Sequence, residues 1–531
     1  MGEIKVKYIS TEDEITVYWE RTAAMTAGER FRIFLDGREA AVTEKTHGTL
    51  SGLQPERRYE IQVTGAGWCS ETMSVSTGKR KRRIDITAAP YLAVGNGEEL
   101  NTERIQRAID DCGAGDAVYV PEGVFLTGAL RLHSDMELYL EEGAVLQGTA
   151  QVLDYLPKIP SRFEGIEMQC YSSVLNLGNL DNMEDQETAG YGENKADPEH
   201  TENPEYAVKP GKGARQDFVC ENVVIRGHGT IASGGQLLAE RVIARERKEL
   251  GEKLEQMGEL AAECECAETI PGRVRPRLVN ISRCRHVLLA GVTFRNGASW
   301  NVHMIYSSDI VTHGCTFVSE EVWNGDGWDP DSSENCTIFD CDFHTGDDGI
   351  AIKSGKNPQG DKIGIPCRNI RIFDCRSAFG HGITIGSEMS GGVEDVSVWD
   401  CDLGQSIYGL EIKGTWKRGG YVRRIRVDNC RLPRLLFHEV GYNNDGEPAD
   451  RPPVFSDCLF RRLEILGEYY SRKQEWTECD AIELRGFGRQ GHEVSDICFE
   501  DVVLGRAGGT ERKVISLSRC RGLQFKNLRV L

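Results

Sequence analysis

Trp323–Ile350 reads WNGDGWDPDSSENCTIFDCDFHTGDDGI, and the spacing inside it decides the fold. Asp326 stands in NGDG, the adjacent pair Asp347 and Asp348 stands in GDDG, and ENCTIFDCDF between them has strand character. Carboxylates repeated at that interval stack side by side if the chain coils once per roughly 20–25 residues, as in a parallel β-helix. Neighbouring coils then lie about 4.8 Å apart. Three acids in one patch repel, so they cannot all keep ordinary pKa values. Unequal sharing of protons is what acid/base hydrolysis of a glycosidic bond requires. The alternative is an Asp-rich turn or a calcium loop, but the string lacks the Glu that closes a calcium loop.

The same period appears in the cysteines. Cys315, Cys341, Cys375, Cys401 and Cys430 each sit late in a short strand-like unit (HGCTF, FDCDF, FDCRS, WDCDL, DNCRL). Equivalent positions in successive coils form a ladder, and small apolar thiols suit its interior. The 18 cysteines are therefore expected to be reduced and buried, as in a reducing compartment. Cys264 and Cys266 form a CxC, too short for paired zinc ligands.

Composition narrows the function classes. The 531 residues exceed one ordinary domain, but a solenoid grows without a larger globular core. With 59 glycines and 17 prolines, the chain suits many tight turns. A net charge of −20 argues against a generic nucleic-acid or anionic-membrane surface. It does not exclude an anionic sugar bound through a local basic patch. The opening MGEIKVKYIS has no signal-like apolar core and no window approaches a membrane span, so cytoplasmic action is expected. No nucleotide, flavin or haem fingerprint is present, and no cofactor or metal is expected.

Residues 1–78 form a separate block: ITVYWE, FRIFLDG, YEIQVTG and MSVSTG alternate like strands. Leu53, Pro55 and Tyr59 resemble the corner before strand F of a fibronectin type III sandwich, with Trp19 in its core. The basic run at 79–84 reads as a solvated linker, and 85–531 as the solenoid. NTERIQRAIDDCG reads as a helix with Ile105, Ala108 and Ile109 on one face, capped by Asn101 or Thr102. It would close an open end of the solenoid. Two insertions interrupt the strand units. Residues 158–217 are expected to form loops at one mouth of a groove. Residues 234–266 are expected to be helical, with Leu238, Val242, Leu250, Leu254, Met257 and Ala261 as a packing stripe, either as a lid or on the flank.

Further motifs follow in order: Asn324-Gly325-Asp326, Gly346-Asp347-Asp348-Gly349, Gly380-His381-Gly382 and Glu411-Ile412-Lys413. Together with the cap LNTERIQRAIDDCGAGDAVYVPEGVFLTGAL, RPRLVNISRCRHVLLAGVTF and SWNVH, they resemble glycoside hydrolase family 28, the polygalacturonase-like enzymes, from about residue 84 onward. The resemblance implies a mainly β fold, a right-handed parallel β-helix with an open groove, behind the small N-terminal β-sandwich. It implies hydrolysis with inversion, in which acid and base flank room for a water. By that resemblance Asp347 is the general acid, Asp326 and Asp348 activate the water, His381 sets protonation, and Lys413 binds sugar. Asn324, His303 and Lys353 are further groove candidates; Asp329 is a turn or supporting residue, and His303 equally a buried structural one.

One position departs from the family pattern: its Arg is Glu411 here. A guanidinium grips a uronate carboxylate with two hydrogen bonds, whereas a Glu repels it. Either Lys417, Arg418 or Arg423 compensates, or the sugar there is not an ordinary galacturonate. Gly349 stands where family members often have Cys, a matter of packing. The expected activity is exo-acting hydrolysis of pectin-derived, galacturonide-type oligosaccharides. The alternatives are a glycosidase for a modified or neutral pectic sugar, a polysaccharide lyase, and a non-catalytic carbohydrate-binding solenoid.

Overall fold

The computed structural model describes residues 4–26, 28–181, 217–257, 270–441, 447–473, 475–505 and 514–531. It divides into two compact units: Met1–Ile84 with Cys112–Ala117, and Asp85–Asp111 with Val118–Leu531.

The first unit is a small antiparallel β-sandwich. One sheet pairs Val6–Ser10, Ile15–Trp19 and His47–Leu50; the other is built on Phe31–Leu35 and Arg58–Gly65. Period-two alternation in RYEIQVTG turns Tyr59, Ile61 and Val63 inward. Trp19 is buried against the edges of Phe31 at 5.3 Å and Trp68 at 6.5 Å. Gln54 N donates to the Tyr59 hydroxyl at 2.9 Å, pinning the turn before that strand. The basic run ends in strand Arg82–Asp85 rather than staying irregular.

The second unit is a right-handed parallel β-helix. Each central coil lays down three strands. Ser308–His313, Thr316–Ser319 and Trp328–Asp331 make one coil; Glu334–Phe339, Asp342–Thr345 and Ile350–Ile352 make the next. Strands in the same place in successive coils pair in parallel, so one interior column runs Val223, Val287, Ile310, Cys336 and another stretch Ile370, Val396, Ile425, Cys458, Ile497. All nine side chains are buried. The repeated apolar residue at one strand position is what lets the coils stack without voids.

The cysteine ladder is real. Cys315, Cys341, Cys375, Cys401 and Cys430 are free and buried, and each thiol donates to the carbonyl two residues before it, at 3.2–3.4 Å. Cys315 N and Cys401 N donate to the sulfurs of Cys341 and Cys430, one coil on. The residue before each of the last four (Asp340, Asp374, Asp400, Asn429) has positive φ, a conformation Asp and Asn tolerate better than most side chains. Outside this corner Phe339, Phe373 and Trp399 stack at 4.7 and 4.4 Å. The repeated aromatic–Asp–Cys string thus encodes stack, corner and interior in consecutive residues.

Helix Thr102–Asp110 buries Ile105, Ala108 and Ile109 as its pattern predicts. Asn101 occupies the N-cap position but makes no cap bond; its amide ties Val94 and Glu99 instead. Thr102 accepts from Gly128 N rather than capping. Gln106 exchanges two bonds with Arg131 on Leu130–Leu132, the terminal strand of an 11-stranded sheet, so the helix covers that end.

Of the expected loops at 158–217, Ile159–Phe163 and Ile166–Cys170 instead form a hairpin; 182–216 lie outside the described residues. Helix Gly235–Met257 buries Leu238 and Val242, while Leu250 is half-buried. Glu246 on it accepts from the Tyr171 hydroxyl at 2.6 Å and pairs with Lys158 at 2.7 Å. The described helix packs on the solenoid flank and lines no part of the cleft described below. Ala261, Cys264, Cys266 and the side chains of Leu254 and Met257 lie outside the described residues.

Candidate active site

The 11-stranded sheet brings the motifs together. His303, on Val302–Ile305, is in register with Asp329 on Trp328–Asp331; Asp331 is in register with Lys353; and Thr384, on Gly382–Ile385, is in register with Glu411 on Gly409–Gly414. Asp326, Asp347 and Asp348 lie in the turns that enter two of these strands. Their side chains line one cleft of about 490 Å³, together with Asn324, Lys353, His381, Glu411 and Lys413. Eight of the nine site residues read from the sequence therefore converge. His303 does not: it is wholly buried, bonded through Nε2 to Asp331 at 3.4 Å, and burial pushes its pKa down to about 4. It is a neutral interior histidine beneath Trp300, whose ring it meets edge-on at 4.8 Å.

His381 holds the adjacent acids together. Its Nδ1 lies 2.9 Å from Asp347 Oδ1 and 3.1 Å from Asp348 Oδ1. Burial disfavours the imidazolium, yet these two carboxylates outweigh it and raise the pKa to about 10. Asp348 is the deeper acid. The Thr384 hydroxyl donates to it at 2.7 Å and Lys413 lies 4.0 Å away. Burial alone would raise its pKa; Lys413 and His381 instead hold it well below the usual carboxylate range. Asp347 is the more open, with a side chain 26 % exposed against 5 % for Asp348, so it is the acid that meets an incoming ligand.

Asp326 has the opposite character. Burial, then the neighbouring Asp329, raises its pKa well above normal, and Lys353 at 3.4 Å offsets only part of this. Asp329 is buried and strongly raised for the same first reason. Burial thus favours the neutral form in the Asp326–Asp329 pair, whereas Lys413 and His381 favour the ionised form of Asp348. Asn324 shapes the turn rather than bonding Asp326: its φ is +50°, and its Oδ1 accepts from Arg275 at 2.6 Å.

Lys353 links the acids. It pairs with Asp326 and, at 3.7 Å, with Glu388, and sits 4.6 Å over the Trp300 ring. Burial opposes its charge, but Asp326, Asp329 and Glu388 keep it protonated. Glu411 is committed as well: Lys413 lies 3.0 Å and His438 Nε2 2.7 Å from its carboxylate. Of the possible compensators, Arg418 reaches the cleft but is spent on Ser387 O, Asn357 and Glu388. Arg423 pairs with Glu394 and lines a different recess, and Lys417 is not among the cleft residues. Sequence reading missed Glu388, Thr384, Tyr408, His438, Glu164 and Arg273, because no short motif surrounds them. The only available signal was position, one coil from a recognised residue.

The His381 pair sets a pH dependence. A histidine whose folded pKa is raised stabilises the fold fully below about 6.5. That contribution is lost as pH rises through about 10. The melting temperature is expected to fall between about pH 6.5 and 10, and to fall less in His381→Gln. Parallel pH profiles for the two proteins would contradict the pairing.

A parallel β-helix with a carboxylate-lined cleft on one sheet holds the groups that acid/base hydrolysis needs. Residues 219–440, the segment of this chain that contains Asp326, Asp347, Asp348, His381 and Lys413, match the model of Glycosyl hydrolases family 28. That part of the chain is similar to the family, and the protein is a glycoside hydrolase. An exo-poly-α-D-galacturonosidase of Dickeya chrysanthemi is 28% identical over 87% of this chain and 73% of its own length. An endo-polygalacturonase of Pectobacterium parmentieri is 28% identical over 75% and 84%. The family 28 exopolygalacturonase of Yersinia enterocolitica superposes with a TM-score of 0.73, 21% identity, and 99% and 98% coverage. A hyperthermoactive exopolygalacturonase of Thermotoga maritima gives 0.63, 25% identity, and 85% and 91%.

Proposed function

We propose that the protein is an inverting, exo-acting glycoside hydrolase of pectin-derived, galacturonide-type oligosaccharides that works in the cytoplasm, its N-terminal sandwich being a fibronectin type III-like module. The observation that carries the chemistry is the unequal set of acids around one imidazole. Asp348 is held ionised and Asp326 is pushed toward its neutral form. Asp347, the more exposed of the adjacent acids, reaches into the cleft. Asp347 then protonates the leaving oxygen, while Asp326 orients a water and the ionised Asp348 takes its proton. Lys413 donates to sugar hydroxyls beside Asp348.

Exo action is supported by the Dickeya relative's name and by the hairpin at Ile159–Cys170. Its turn residue Glu164 lines the cleft and pairs with Arg273 at 2.7 Å. Gly165 O accepts from Lys356 N at 3.0 Å, and a Cβ at Gly165 would lie 2.4 Å from that nitrogen, so only glycine lets the turn close this side. An oligogalacturonide length series should yield one short product from the first seconds. A spread of intermediate lengths would show endo cleavage.

A second reading concerns the sugar against Lys413. Because Glu411 already neutralises that lysine, a free carboxylate gains nothing there, and an esterified or neutral pectic sugar fits better.

A further inference from the structure

Four of the cleft's lysines and arginines offer little to a polyanionic sugar. Lys353, Lys413, Arg418 and Arg273 are each held by a carboxylate of the protein. The next coil offers a different cation. Arg434 precedes strand Leu435–Glu439, which pairs with the Glu411 strand. Its guanidinium lies 4.6 Å from the Tyr408 ring and 4.8 Å from the Tyr469 ring. Its Nε donates to Ile407 O at 3.0 Å. Among the described residues it has no acidic partner, and the residue is half-buried.

This is a planar cation fixed in orientation by two aromatic contacts and one backbone bond, with both terminal nitrogens uncommitted. Such a fork matches a carboxylate bidentately, and little rotamer freedom remains to be lost on binding. The clamp adjoins the catalytic group. Tyr408 lines the cleft and meets His381 edge-on at 4.7 Å. Tyr469 belongs to the hairpin Glu468–Tyr470/Trp476–Glu478, and from the turn of that hairpin Arg472 donates to Gly346 O at 2.7 Å, immediately before Asp347.

We infer that Arg434, clamped by Tyr408 and Tyr469, is a binding site for the carboxylate of a uronic acid residue neighbouring the sugar that rests on Lys413. The inference rests on the proposed oligosaccharide hydrolysis and names which residue of the chain must be charged. The sugar at Lys413 need carry no free carboxylate; the one beside it must.

The test is binding rather than turnover, made in an Asp347→Asn background by calorimetry with trigalacturonate and with its fully methyl-esterified form. Adding Arg434→Gln should weaken trigalacturonate binding by about 10–100-fold and leave the ester within about twofold, on the scale of one charged hydrogen-bonded pair. Arg434→Lys should recover only part of the loss, because an ammonium cannot form the fork. Equal loss on both ligands, no loss on either, or no trigalacturonate binding before Arg434 is changed would each overturn it. If the binding pattern holds but the unsubstituted enzyme hydrolyses neither ligand, the site stands and the proposed reaction falls.

Discussion

Replacing Asp347 by Asn is expected to lower kcat by at least about 10²-fold while leaving the fold intact, because a general acid contributes typically 10²–10⁴-fold. The fold should survive because Asp347 is the more exposed of the adjacent acids and supports only one of the two bonds to His381. Asp348 keeps its own bonds to His381 and Thr384. The amide cannot donate a proton to the leaving oxygen, so the loss should fall on kcat more than on KM. A substrate with a better leaving group should recover part of the rate, since it needs less protonation. Near-normal turnover on ordinary oligosaccharides would remove Asp347 from the acid role.

Lys353→Met should produce the largest loss of stability. The side chain is 5 % exposed and pairs with the buried Asp326 and the half-buried Glu388. Removing one partner of a buried pair leaves uncompensated charge and costs about 3–5 kcal/mol. The pH dependence gives a second signature. Acids whose folded pKa is raised stabilise the fold most below their unfolded value, near 4, and lose that contribution as pH rises. Asp326 and Asp329 are already raised by burial, and Lys353 is what restrains the shift. The variant should therefore be closer to the parent at pH 5 than at pH 8. Urea denaturation at the two values measures both effects. A variant within about 1 kcal/mol of the parent at pH 8 would show that water, not Lys353, compensates the acids.

The candidate site was legible as a cluster because it is built from short strings at coil period: NGDG, GDDG, GHG and EIK each fall at the turn or strand that the 11-stranded sheet stacks. The interior ladder was legible for the same reason, through the repeated Asp–Cys corner. What surrounds the acids was not. Glu388 and Arg418 meet across loops between coils, and His438 reaches Glu411 from the next strand; such contacts depend on loop paths that no local period encodes. His303 shows the converse limit. Its place beside Trp300 in SWNVH suggested a groove residue, yet full burial and the bond to Asp331 keep it out of the cleft lining. Arg434 carries no motif. Only the coordinates bring it between Tyr408 and a tyrosine from a later hairpin.

The most direct test of the account is the configuration of the sugar as it is first released, read by proton NMR in the opening minutes of hydrolysis. Direct attack by a water held at Asp348 and Asp326, with Asp347 protonating the departing oxygen, predicts that the β-anomer appears first from an α-linked galacturonide and only later equilibrates. The α-anomer first would mean a covalent intermediate on one of these carboxylates, and an unsaturated product would mean elimination. Either result would contradict the division of labour assigned to the three acids.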